Sequence, residues 1–173
     1  MVCLCNWLVT IVARAATNRC YMHAFALLLG SIMSHSWATD LLSKAQKVVT
    51  YFRASHKPMA LFREAQAKLP GNHKALASSN TTRLTSAQLA ESSVLHNHGT
   101  FTSILNEPGG KDAITNAGVL QLLQDLHFFG DLGLLDAVLE PISWVIMAVQ
   151  RKTATMADVA RCVPIDDSMH RLV

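Results

Sequence analysis

Aromatic residues make up only 6% of the 173 residues, and strict apolar–polar alternation is almost absent. Both shortages argue against a sheet sandwich, whose strands draw on aromatic and β-branched side chains at period two. Cysteine is scarce as well. Cys3, Cys5, Cys20 and Cys162 show no disulfide-framework spacing, and a chain this long buries a core without one, so a reduced intracellular setting is expected. Charged residues reach just 16% and the net charge is +3, which excludes wholesale disorder and falls short of a strongly basic binding domain. No apolar run approaches the ~20 residues a membrane helix needs. There is no phosphate-cradling glycine loop, nucleophile elbow or paired-cysteine zinc ribbon. Before Asp40 there is no acidic residue at all.

What is plentiful is Ala, Leu and Met, with half the residues apolar. From Cys20 to Ser34, Met22, Phe25, Ala26, Leu29 and Met33 recur at helical steps, and Leu27 and Leu28 thicken the stripe enough to predict burial on most sides. Ser36 is placed to cap a second helix with a seam of Trp37, Leu41, Ala45, Val48 and Phe52, joined by Leu42 and Val49. Lys44, Gln46, Lys47 and Arg53 face outward. "SHKP" breaks this helix, and Pro58 suits the first turn of a third, carried by Met59, Leu61, Phe62, Ala65 and Leu69 until Pro70-Gly71.

The polar stretch from Gly71 to Ser86 predicts the longest loop. Thr85 with Gln88 forms a capping box for a helix through Leu89 and Val94, weakened at His96 to Gly99 and resumed at Phe101, Ile104 and Leu105. "NEPGGKD" is a firm break, after which Asp112 can cap a helix with Val119, Leu122, Leu123, Leu126 and Phe129. Asp131 is assigned to a further cap, and Pro141 to a kink or restart between Leu132 and Val149. A last capping box, Thr155 with Asp158, precedes Pro164.

The N-terminal apolar stretch ends in Ala13-Arg14-Ala15, a pattern a secretory signal can use. Asn6 inside it and the lack of a preceding positive charge favour a short strand at Trp7–Val12 or a helix start instead. The expected architecture is one all-α domain of about six or seven helices, with at most one or two short strands near the N-terminus.

The order of motifs resembles the transposase domain of the hAT superfamily, in its ribonuclease H-like eukaryotic branch. A Cys-x-x-His-x-Leu-x-Leu segment is matched at Cys20 to Leu27, with phenylalanine at the first leucine. A tryptophan helix at Trp37 follows, then "KVVTYFRASHKPMALFRE" at 47–64, Thr82-Arg83-Leu84-Thr85-Ser86, and Pro141-Ile142 with Gln150 and Ala157-Asp158-Val159. The resemblance implies a helical insertion domain over 18–165, a remnant of the catalytic core or an irregular stretch at 1–17, and a tail at 166–173. It also implies a nuclear setting and DNA as a partner, weakly held, or association with itself or a full-length relative. It implies no small-molecule substrate and no membrane.

The family's catalytic triad consists of two aspartates and a glutamate that hold divalent metals. The two aspartates precede the Cys-x-x-His, where this chain has no acid, and the segment bearing the glutamate has no counterpart. Without them no strand transfer, no cofactor and no catalytic residue is expected. An aspartate-bearing strand encoded upstream would mean that Met1 is not the true start.

Among candidate sites, Cys20 and His23 share a helical face that zinc can use, but four ligands are needed and His96 and His98 lie far along the chain. Packing of Cys20 and backbone bonding of His23 is the simpler reading. Arg83, in a polar loop before a helix, fits either a phosphate or a structural tie to neighbouring helices. Lys44, Lys47, Arg53, Lys57 and Arg63 cluster on consecutive helices with Tyr51 and Phe52 between them. With Arg83, the positions Lys47, Arg53, Lys57 and Arg63 form the candidate nucleic-acid contacts, weighed against a merely solvated face. Asp125, Asp136 and Glu140 are assigned to solvated faces. A different class of function is a helical interaction module presenting Leu122, Leu126, Phe128 and Trp144 to a partner.

Overall fold

The computed structural model describes residues 21–69, 74–78 and 85–149. Eight α-helices account for most of them, with no strand among the described residues. They are α1 (Tyr21–Met33), α2 (Ser36–Ala54), α3 (His56–Lys68), α4 (Ser86–His96), α5 (His98–Asn106), α6 (Gly110–Ala113), α7 (Ala117–Gln124) and α8 (Leu126–Val149). The strand expected at Trp7–Val12 and the capping box at Thr155 lie outside the described residues.

Two compact units emerge, Met1–Ser31 with Pro141–Val173, and Ile32–Glu140, the division falling inside α8. In the first, α1 buries Phe25, Leu28 and Leu29, and the end of α8 buries Ile142, Val145 and Ile146. Leu27 stays exposed, so α1 is one-sided rather than buried on most sides.

The second unit is built on α2, whose buried face is Ala38, Leu41, Ala45, Val48, Val49 and Phe52. This is the expected seam with two changes: Leu42 is only half-buried, and Trp37 remains 42% exposed while the neighbouring Ala38 is fully buried. Nor does Ser36 cap α2: His35 occupies the N-cap without a side-chain bond, while Thr39 Oγ1 donates to the Met33 carbonyl at 2.8 Å. Against α2 lies an aromatic cluster. The Phe52, Phe62 and Phe101 ring centroids sit 5.3–5.7 Å apart, and Phe129 lies 6.4 Å from Phe101, so α2, α3, α5 and α8 converge on one point.

Helix ends explain most of the other differences. The Thr85–Gln88 capping box is not formed: Thr85 makes no cap bond, and Gln88 is drawn into the core, where its Nε2 donates to Asp136 Oδ1 at 3.1 Å. Asp112 sits within the one-turn helix α6, and Asn116 caps α7, its Oδ1 accepting from the Val119 amide at 3.1 Å. Asp131 is inside α8, whereas Asp125 Oδ1 accepts from the His127 amide at its start. Pro141 does not end α8 either. The missing amide costs about 3 kcal/mol, so of the kink or restart expected at Pro141 the restart does not occur; Leu132, Leu135 and Leu139 are buried before it and Ile142, Val145 and Ile146 after it.

The break at "NEPGGKD" is as expected, and both glycines have a reason. Gly109 takes φ +78°, the left-handed region. At Gly110, a Cβ would lie 1.9 Å from the Ile104 carbonyl oxygen. Gly110→Ala is therefore expected to lower stability by about 2 kcal/mol or more in urea unfolding, whereas Gly99→Ala, with open space around it, should be neutral or stabilise by about 0.5–1 kcal/mol.

Candidate nucleic-acid interface

The side chains with the chemistry to hold an anion are best assembled where α2 ends and α3 begins. Arg53 is in the last turn of α2, and one extended residue, Ser55, separates the two helices. Phe52 and Phe62, with ring centroids 5.7 Å apart, hold the two helices together, and Arg53 and Arg63 both line the space beside them. The result is an open cleft of about 390 Å³ lined by Arg53, His56, Arg63, Gln66, Ala75 and Leu76 among others. Ser55 lies in its wall and makes no side-chain cap bond.

The far wall is the segment 74–78, held firmly although it has no regular structure. Arg53 Nη1 donates to the Leu76 carbonyl at 2.8 Å. Gln66 Nε2 donates to the Lys74 carbonyl at 3.1 Å, and the Ala77 amide donates to Ser93 Oγ at 3.0 Å. The buried amide of Asn97 completes the tie. Its Nδ2 donates to the Lys74 carbonyl at 2.8 Å and to the Ser93 carbonyl at 2.7 Å, and its Oδ1 accepts from Gln66 Nε2 at 2.8 Å. A polar residue in a weak helix region was the only signal in the sequence, and it marks both the α4–α5 break and the anchor of the cleft wall.

Arg53 and Arg63 thus play different parts. Arg53 is partly a structural donor, whereas Arg63 is exposed with no hydrogen bond or ion pair among the described residues. Two arginines and a histidine beside a helix N-terminus attract phosphate oxygens through charge-assisted hydrogen bonds. Lys57 is exposed nearby but outside the cleft wall. Lys47 lines a separate open groove of about 970 Å³ between α2 and α7, together with Lys44, Tyr51, Gln121, Leu122 and Asp125. Lys44 is paired with Asp40 at 2.6 Å.

Of the two aromatics between these cations, Phe52 is fully buried, while Tyr51 is half-buried against the α2–α7 groove and its hydroxyl accepts from the Thr115 amide at 3.0 Å. His98 packs its ring 4.1 Å from that of Phe129. Of the family-motif positions, His23 and Pro141 are exposed, Trp37 is half out of the core, and Ser86 is buried at the start of α4. Cys20, Thr82 and Arg83 lie outside the described residues. Among the described residues no group of three or more His, Cys, Asp or Glu is placed to hold a metal ion.

The apolar positions singled out for a partner divide. Leu126 is 75% and Trp144 52% exposed, Leu122 is half-buried, and Phe128 is buried in the core. No described helix is long and apolar enough to cross a membrane. No protein-family model, curated protein or solved structure matches the chain.

Proposed function

We propose that the chain is the helical part of a hAT-transposase-like protein that associates weakly with nucleic acid in the nucleus and does not itself transfer strands. The supporting observation is the cleft in which Arg53, His56 and Arg63 meet at the start of α3. The sequence order running from Cys20 to Pro141 agrees with this reading. Phosphate contact is sequence-independent and depends on salt, which suits a cleft that has cations but no accessible stacking aromatic.

The test is fluorescence anisotropy with a short labelled duplex. Arg63→Ala should weaken binding about 3–10-fold and equally across duplex sequences. Arg53→Lys keeps the charge while disturbing the Leu76 bond, and should cost less. Unchanged affinity in Arg63→Ala would remove the cleft from the account.

One observation favours a second reading, a helical self-association module. In the Ile32–Glu140 unit, the outer face of α8 presents Leu126, Leu134 and Val138 to solvent, with Leu134 64% exposed. Sedimentation would then show a salt-insensitive dimer that is lost in Leu134→Glu.

A further inference from the structure

The Glu91 carboxylate on α4 has no solvent exposure, and beyond the adjacent Ser92 backbone amide neither oxygen has a hydrogen-bond partner. Leaving a carboxylate buried in this way is costly in its charged form, and neutralising it by taking up a proton is the usual outcome. Its surroundings push the same way. One turn earlier on α4, Gln88 Nε2 reaches across to Asp136 on α8 at 3.1 Å, which sets that carboxylate beside the α4 seat. Asp136 and Glu140, one turn apart on α8, both act on Glu91 as like charges. Lys74 is the opposing cation, and its Nζ is engaged by Ser92 Oγ at 3.0 Å. On its other side, α4 packs against α2, whose buried face is entirely apolar.

We propose that Glu91 is a protonation-controlled latch between α4 and α8: as a neutral acid it lies dry in the seat, and on ionising it repels Asp136 and Glu140 and loosens the 126–140 stretch of α8. Burial, then the Asp136 charge, raise the Glu91 carboxyl to about 8, with Glu140 adding to the rise and Lys74 and the Ser92 amide opposing it. Folding therefore takes up a proton. The stabilisation is complete below the ordinary glutamate value of 4.5, declines as pH rises above it, and is lost once pH passes about 8. The latch thus releases on the alkaline side of neutrality, and it operates independently of the arginine cleft.

Hydrogen exchange on the whole chain tests this, with protection at 126–140 corrected for intrinsic exchange between about pH 6 and about pH 9. In the unaltered protein, protection should fall by up to about tenfold per pH unit until about pH 8 and then level off. Glu91→Gln keeps the shape without the charge and should flatten the curve. Glu91→Leu removes the polar atoms altogether and should do the same, so the idea does not depend on one variant folding. Asp136→Asn should move the fall to higher pH only if the helices repel by another route; the latch requires a shift to lower pH. A flat profile in the unaltered protein, or an unchanged fall in both Glu91 variants, would overturn the proposal.

Discussion

Phe101→Ala is expected to lower the stability of the Ile32–Glu140 unit by about 3–5 kcal/mol, the largest effect of any single truncation in it. Phe101 is fully buried and lies at the meeting point of four helices. Its ring centroid is 5.3 Å from that of Phe52 on α2, 5.6 Å from Phe62 on α3 and 6.4 Å from Phe129 on α8. Removing it takes away apolar burial and three tilted ring contacts, and in a close-packed core the surrounding side chains relax only partly into the space. A small domain has only about 5–15 kcal/mol in total, so the variant should unfold at a much lower urea midpoint with an unchanged slope. Phe101→Leu should recover more than half of the loss. A cost below about 1 kcal/mol for Phe101→Ala would mean that the four helices do not converge as described.

Asn97→Ala should cost about 2–3 kcal/mol, although the residue removed is polar and small. The amide is buried and spans three elements, with Lys74 and Ser93 carbonyls accepting from Nδ2 and Gln66 donating to Oδ1. Truncation leaves those partners without Asn97, and unsatisfied buried groups cost about 1–3 kcal/mol each, less where the cleft lets water reach them. Asn97→Asp should be worse than Ala, because a carboxylate oxygen replaces the donor opposite two carbonyl oxygens. Hydrogen exchange would locate the damage. Protection should be lost first at 74–78, where the Ala77 amide donates to Ser93 Oγ, and the α2–α3 cleft should lose its far wall. Uniform loss across α2 and α5 instead would assign Asn97 to the global core.

These two residues show how unevenly the structure could be read beforehand. The α2 seam was legible because five of its positions repeat at helical spacing, and the glycines at 109 and 110 announced their break. At the start of α2, Trp37 and Ala38 both fit the apolar spacing that leads to Leu41 and Ala45, and only Ala38 is buried. Caps were harder still. Thr85, Asp112 and Asp131 each have the right chemistry, yet Asn116 and Asp125 form the bonds, since Gln88 finds a deeper partner in Asp136. Proline at 141 argues locally for a kink or a restart, and the helix runs on through it without a restart.

The cleft was half legible. Cations on consecutive helices were visible in the sequence, but not that Arg53 and Arg63 meet while Lys47 lines another groove. That choice is made by the Phe52–Phe62 contact, a tertiary event with no local signature. Glu91 carried no signal at all: in sequence it is an ordinary acid between two alanine- and serine-rich turns.

The proposed binding of nucleic acid rests on phosphate contact at the Arg53–Arg63 cleft. The most direct measurement is the affinity for a short duplex over a range of salt concentrations, for the unaltered chain and for Arg63→Ala. The account predicts a log–log slope of about −2 to −3 that becomes shallower by about one in the variant. Affinity independent of salt, or a slope unchanged by Arg63→Ala, would contradict it.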